Sequence, residues 1–354
     1  MNWGSPAPSF PAWRFGRRGT DCKTVAGFTP TLRQRLEYAG LSALVWLIGC
    51  VPFRGVRWIA NGVGALVYVL DRRGREVALA NLDAAFGDRF TPHRKKQIAR
   101  GSYQTFARTM LELFWSPRLN AGVAARIATF EGLEKDPCHH DPKQAVVYLC
   151  LHFSNFEWLS QFAAYSIGNG PVVTQHFKNP LIERIFNRLR SSTGHEVIPQ
   201  ERAMIRMLKH LKGGGKFAML CDLNLDPGEA AVVIETFGGL KISVTQMQAA
   251  LALRTKARIV PVECHPQTDG RYRMVYHPPL EYPPEASAGE ITQLCWNVLE
   301  PSLFEHPECW LWAYKHWRYR PVDDDTERYP FYANVAKRFD KLLKKQNRAN
   351  ERSD

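Results

Sequence analysis

Paired cysteine spacing is missing. Cys22, Cys50, Cys138, Cys150, Cys221, Cys264, Cys295 and Cys309 include no two residues separated by only two others. A disulfide framework and a zinc ribbon are therefore not expected. Several of these cysteines sit in apolar runs, as at Tyr148–Leu151 and Met219–Cys221, and read as small buried hydrophobes in a reducing compartment. Cys138-His139-His140 lies in a polar loop rich in Asp and Pro, with no second ligand pair at zinc spacing, so no metal site is expected. Acid is also scarce. Against 47 Lys and Arg stand 34 Asp and Glu, a net charge of +13 that calls for an anionic partner. The basic residues are spread along the chain and form no reading helix, so that partner is not expected to be nucleic acid. No G-x-S-x-G elbow is present, which removes the usual serine hydrolase. Gly213-Gly214-Gly215 is followed by Lys216-Phe217 and has no P-loop Ser or Thr, so it reads as a helix-ending turn and not a nucleotide site.

Long apolar runs are lacking too. The stretches Tyr38 to Phe53 and Trp58 to Leu70, the second broken by Asn61, are each shorter than the roughly 20 residues that cross a bilayer core. Three readings remain: one marginal transmembrane helix, a pair of interfacial helices, or a helical hairpin buried in the globular core. Aromatic residues at the segment ends (Trp46, Trp58, Tyr68) and the arginines at 54, 57, 72, 73 and 75 fit interfacial helices best. If the segment spans, those arginines place the body of the protein on the cytoplasmic side. Residues 1–28, rich in Gly, Pro, Ser and Arg, lack a signal-peptide cleavage pattern and read as a flexible basic tail.

A hydrophobic share of 45% supports a sizeable core. Four parts are expected: the tail at 1–28, a membrane-associated helical segment at 29–75, a main domain at 76–325, and a charged helical tail at 326–354. Apolar residues at three- and four-residue spacing predict helices through 76–130. Beyond them, strand-length runs at Ala145–Leu151, Pro171–Thr174, Glu196–Ile198, Phe217–Leu220, Val232–Thr236, Ala257–Glu263 and Tyr272–Tyr276 alternate with helical segments at Asn155–Tyr165, Leu181–Ser191, Ala203–Leu211 and Val244–Arg254. Such alternation predicts an α/β fold, a mixed sheet flanked by helices. No internal repeat is apparent.

The segment His152-Phe-Ser-Asn-Phe-Glu157 closes the first buried strand, and the carboxyl end of a strand is where α/β sheets place their sites. Ser154 and Asn155 suit a helix cap between the two titratable residues. A carboxylate that accepts one imidazole N–H fixes the tautomer and leaves the other nitrogen as a general base toward a hydroxyl. On spacing alone, the alternative is a histidine satisfied at a strand end and a solvated glutamate.

Residues 143–158 resemble the H-x4-D/E segment of the bacterial lipid A biosynthesis acyltransferases, the group of the lauroyl and myristoyl acyltransferases related to the phosphatidylinositol mannoside acyltransferases. Other blocks agree in order. Asn81-Leu-Asp-Ala-Ala-Phe86 is similar to an N-L-x-x-A-F segment, and Asn179-Pro-Leu-Ile182 with Arg190, Gly194 and Val197-Ile-Pro199 to an N-P-L…R…G…I-P block. Asp222-Leu-Asn224 resembles a D-Q-N or D-x-D element, Phe237-Gly238 an F-G element, and Trp310-Leu-Trp to Arg318 a W-L-W…R closing motif. The likeness runs from about Leu32 to Pro321. Leu223 departs from a usual polar residue, and Asn224 stands where many members have a second aspartate, with Asp226 two residues on.

The resemblance implies a glycerolipid-acyltransferase-like fold and transfer of a fatty acyl group from acyl carrier protein or coenzyme A to a lipid hydroxyl at the inner membrane, with the catalytic domain on the cytoplasmic side and no cofactor. The acceptor would be a lipid A precursor or related glycolipid. His152 would be the base and Glu157 its orienter. Arg190, or else Arg188, would meet the oxyanion or a substrate phosphate, while Asp222 and Asn224 would help bind substrate. Lys315 and Arg318 would meet an anionic headgroup or the donor's phosphopantetheine, and Trp310 and Trp312 read as core. The alternatives are a different lipid or amine acceptor, or a non-catalytic lipid-binding protein on the same fold; the latter would be expected to have lost the histidine or the carboxylate.

Overall fold

The structure, a computed structural model, describes residues 29–350 except 142, 175, 200, 202 and 323–327. The expected tail at 1–28 lies outside the described residues. The chain opens on helices α1 (Leu32–Cys50), α2 (Phe53–Leu70), α3 (Arg72–Phe86), α4 (Pro92–Trp115) and α5 (Ala121–Ile127). Then follow β1 (Ala128–Glu131), the short α6 (Pro137–His140), β2 (Val146–Cys150), α7 (Phe156–Ala163), β3 (Pro171–Thr174), α8 (Pro180–Arg190), β4 (Glu196–Pro199), α9 (Ala203–Lys212) and β5 (Lys216–Leu220). The last part comprises β6 (Ala231–Thr236), β7 (Leu240–Thr245), α10 (Met247–Thr255), β8 (Arg258–Pro266), β9 (Tyr272–Tyr276), α11 (Ala288–Glu305), β10 (Tyr319–Arg320), β11 (Asn334–Val335) and α12 (Lys337–Asn350).

The main sheet has the order β1-β9-β8-β2-β5. Its one antiparallel pair is β8 with β9, so the sheet is mixed, with helices on its faces. Every residue of β2 is buried, which explains its unbroken apolar run: a central strand covered on both faces has no solvent side to alternate with. Two hydrophobic clusters lie on opposite sides of that strand. Val147 and Leu149 belong to one, and Val146 and Tyr148 to the other.

Besides the short α6, β10 and β11, three elements differ from the sequence reading. β1 ends the region expected to be helical, its four residues being too few to show a period of two. β7 takes Val244, expected to begin a helix; the β-branched run around it pairs with β6, and α10 starts only after Gln246. α11 carries a Ser287/Glu290 capping box that marks its start plainly, yet it was not anticipated.

No helix among the described residues is long and apolar enough to cross a membrane. The two N-terminal helices pack on the body through α4 and leave a broad apolar surface outward. On it Leu44, Trp46, Leu47, Leu66 and Leu70 are exposed and Trp58 is 80% exposed. The buried seam is close: a Cβ added to Gly64 in α2 would strike backbone atoms of Tyr103 and Gln104 in α4. Backbone cannot give way as a side-chain tip can, so Gly64→Ala is expected to cost about 1–3 kcal/mol through overpacking. Urea unfolding monitored by tryptophan fluorescence measures this; an unchanged midpoint would show that the helices separate freely.

Several blocks of the sequence motif hold the scaffold together. Asn81 in α3 donates through Nδ2 to the carbonyls of Trp312 and Tyr314, both at 2.7 Å, and accepts from the Tyr332 hydroxyl. Asn179 caps α8 and reaches back to α1 through the Gln34 carbonyl (3.1 Å) and Glu37 (2.9 Å). Phe237, at φ +46°, packs edge-on or tilted against Phe86, Trp296, Trp310, Trp312 and Trp317.

Candidate functional site

β2 and β5 run parallel and in register, Cys150 opposite Leu220. Two residues past each strand end, the same register sets His152 against Asp222. The Asp222 carboxylate is fully buried and receives three N–H groups. His152 Nδ1 lies 2.7 Å from Oδ1, the His152 backbone N–H donates to Oδ2 (3.0 Å), and the Trp310 indole N–H donates to Oδ2 (2.8 Å). Burial pushes the Asp222 pKa up, but the His152 imidazole, the Trp310 N–H and the nearby His316 outweigh it and hold the acid at about 2. A carboxylate at 2.7 Å requires the proton on Nδ1 of a neutral His152, which leaves the Nε2 lone pair free. Behind Trp310, His316 stacks with its ring centroid 3.7 Å away; burial lowers its pKa to about 4, so it is neutral near pH 7 and charged only in acid.

The two acids are thus assigned differently from the sequence expectation. Asp222, not Glu157, orients His152. Glu157 instead accepts a fork of hydrogen bonds from Arg190, Nε to Oε2 at 3.0 Å and Nη2 to Oε1 at 2.5 Å. Residues 152–157 explain the difference. Ser154 adopts φ +50°, and Asn155 then caps α7 by accepting from the Trp158 N–H. Glu157 therefore sits in the first turn of a new helix, facing α8. A five-residue spacing says that two side chains are near in sequence; the turn between them decides where each one faces.

His152, Glu157, Arg190 and Asn224 line one cavity of about 800 Å³. Tyr314, Ser160, Thr174, Glu229 and Thr245 add polar lining, and Leu159, Val173, Ala218, Met219 and Met247 apolar lining. Asn224 presents a buried Oδ1 without a hydrogen-bond partner, an acceptor open to a ligand's donor. Asp222 stands behind the wall. Arg188, Lys315 and Arg318 are exposed and do not line the cavity, and Asp226 is engaged by the Gly228 N–H at 2.8 Å. Cys150 reaches the cavity, but burial and the charge of Asp222 push its thiol far above the ordinary range, so it is no nucleophile. Among the described residues no group of His, Cys, Asp and Glu could hold a metal ion, and the side chains of Cys138 and His139 lie outside them. The described cysteines are all free. The arrangement places a carboxylate-bonded imidazole and a bidentate Arg–carboxylate pair on the wall of one cavity.

Sequence reasoning missed the work of Trp310. It was expected to be core and is 1% exposed, yet its one polar atom completes the shell of Asp222. The signal available was its polar atom: a buried indole N–H seeks an acceptor.

The family described as bacterial lipid A biosynthesis acyltransferase matches residues 27–319. The chain is 24% identical over 297 residues to a lipid A biosynthesis lauroyltransferase of Escherichia coli (strain K12), an alignment covering 82% of this chain and 93% of that protein. The chain belongs to the bacterial lipid A biosynthesis acyltransferase family and is an acyltransferase.

Proposed function

We propose that the protein transfers a fatty acyl group from a thioester, of acyl carrier protein or coenzyme A, to a hydroxyl of a lipid A precursor or related glycolipid. The observation that carries this reading is the His152–Asp222 pair opening on a cavity of about 800 Å³ whose lining combines polar groups with Leu159, Val173, Ala218, Met219 and Met247. His152 Nε2 takes the acceptor's hydroxyl proton as its oxygen attacks the thioester carbonyl. Asp222 stabilises the resulting imidazolium. The tetrahedral intermediate carries an oxyanion, for which Arg190, held in place by Glu157, is the charged donor at the cavity wall. On collapse the thiolate leaves and takes the proton from the imidazolium, and the apolar wall receives the acyl chain. The relative's name points to a twelve-carbon group and a lipid A acceptor.

The exposed apolar residues of α1 and α2, with exposed Arg54, Arg72 and Arg73 beside them, suit an interfacial seat on an anionic membrane. The site would then work at the cytoplasmic face of the inner membrane, where lipid acceptor and thioester donor meet.

Mass spectrometry of membrane lipids from cells with and without the protein tests the reading. A lipid heavier by one acyl group, present with the wild type and absent with His152→Ala, is the expected result and names acceptor and chain length. Identical lipids in all three strains would overturn it. Within the site, Glu157→Gln keeps one acceptor for Arg190 and removes the charge that anchors it. Turnover is expected to fall about 10- to 100-fold, short of the loss of the donor itself. Steady-state kinetics with a long-chain acyl thioester measures this.

A further inference from the structure

On the far side of the catalytic turn from the cavity lies a buried acid that the chemistry above does not use. Glu112, in α4, is 0% exposed. Its Oε2 accepts from Asn155 Nδ2 (2.5 Å) and from the Tyr272 hydroxyl (2.6 Å). Its Oε1 has no hydrogen-bond partner and faces the Arg57 guanidinium, with Nε 3.9 Å away. An ionisable group in such a place is expensive to keep, and an apolar side chain of similar size would serve packing alone at least as well.

What Glu112 holds is the turn that carries the site. Asn155 uses both ends of its side chain: its amide N–H goes to Glu112, and its oxygen caps α7 at the Trp158 N–H (3.0 Å). The acceptor at Glu112 and the Trp158 N–H together fix which way that amide faces. The same stretch of α4 takes hold of the turn twice more. Thr109 Oγ1 donates to the Ser154 carbonyl (2.8 Å), and the Trp158 indole N–H donates to the Glu112 carbonyl (3.1 Å). These bonds and that of the Ser154 N–H to the Cys309 carbonyl (2.7 Å) hold Ser154 at φ +50°, a conformation that side-chain-bearing residues rarely adopt unless surroundings impose it. His152 stands two residues before this point and Glu157 three after. We infer that Glu112 is a positioning residue for acyl transfer: through Asn155 its carboxylate sets the turn that aims His152 and the Glu157–Arg190 pair into the cavity.

The inference rests on the reaction proposed above, and its test separates the two. Full-length Glu112→Ala, Glu112→Gln and Tyr272→Phe are assayed well below their melting temperatures, with dodecanoyl-coenzyme A as donor and a bacterial membrane lipid extract as acceptor. Glu112→Ala is expected to lower kcat about 100-fold with KM changed less than about threefold, the signature of misaligned groups and not of lost binding. Glu112→Gln retains an oxygen for Asn155 and is expected to recover about tenfold of that loss. Tyr272→Phe removes the other hydrogen bond to the same oxygen but keeps the ring that packs edge-on against Trp158, and is expected to stay within about twofold of wild type.

A merely structural role predicts that Tyr272→Phe and Glu112→Gln, each a one-group change at the same oxygen, lose activity alike. That result, or an unchanged kcat in Glu112→Ala, would overturn the inference. Should Glu112→Ala not fold, the contrast between Glu112→Gln and Tyr272→Phe decides. Should the wild type transfer nothing, the proposed reaction fails. The inference is then decided by the Arg190 Nε resonance of 15N-arginine-labelled protein, which Glu112→Gln must shift and Tyr272→Phe must not.

Discussion

Replacing His152 with alanine is expected to lower kcat by about 10³- to 10⁴-fold, the upper range of what a positioned general base contributes. KM for the thioester is expected to change little, because the proposed contacts of the acyl chain are Leu159, Val173, Ala218, Met219 and Met247 and not the imidazole. The result depends on the variant folding, and the surroundings of Asp222 say that it will. Removing the ring takes one of three donors from a buried carboxylate, but the His152 backbone N–H and the Trp310 indole remain. The vacated space opens toward the cavity that His152 lines, so water can reach the freed Oδ1 and limit the desolvation cost. Single-turnover transfer from dodecanoyl-coenzyme A measures the effect. A rate within tenfold of wild type would place the base elsewhere.

How far the sequence could be read follows from the kind of information each feature needs. The apolar run 145–151 and the histidine that ends it were visible because a strand covered on both faces has a local signature. The partner of that histidine had none. Asp222 is 70 residues away, and its role depends on β2 and β5 being parallel neighbours in register. Periodicity says nothing about which strands pair. Had that pairing been known, the two positions just past the strand ends would have matched at once.

Glu157 shows the opposite error, a local spacing credited with a geometry that only the turn at Ser154 determines. The motif blocks were informative about ancestry without separating chemistry from scaffold. Asn81, Asn179 and Phe237 lie in the same ordered pattern as His152 and Arg190, yet the first three tie helices and the tryptophan cluster together. Fold class was legible because alternating strands and helices leave few architectures. Two of the missed strands, β1 and β7, were a four-residue edge and a hairpin arm, both defined by their partners more than by their own residues.

Asp222→Asn is the sharper test of how the base is set. An asparagine here has one oxygen and one NH2 to place among three N–H donors. Turning the oxygen toward the His152 backbone N–H and Trp310 satisfies two of them and presents the NH2 to His152 Nδ1. Nδ1 must then accept, the proton moves to Nε2, and the nitrogen that should take the hydroxyl proton no longer can. The reverse orientation drives an NH2 against two buried donors and is worse. Turnover is therefore expected to fall about 10³- to 10⁴-fold, by the wrong tautomer and with the cavity intact. The same variant has a signature in stability. Because the folded pKa of Asp222, about 2, lies below the ordinary 3.8, its ionised form stabilises the fold above pH 4. That contribution is lost as pH falls through the interval from about 4 to about 2. Asp222→Asn removes this share of the acid sensitivity, while Glu263, also held at about 2 against the cost of its burial by His265, His277 and Ser302, keeps its own. Urea midpoints taken between pH 5 and pH 2 should accordingly fall less steeply in Asp222→Asn than in wild type. Parallel slopes, together with near-normal turnover, would remove Asp222 from the role the geometry gives it.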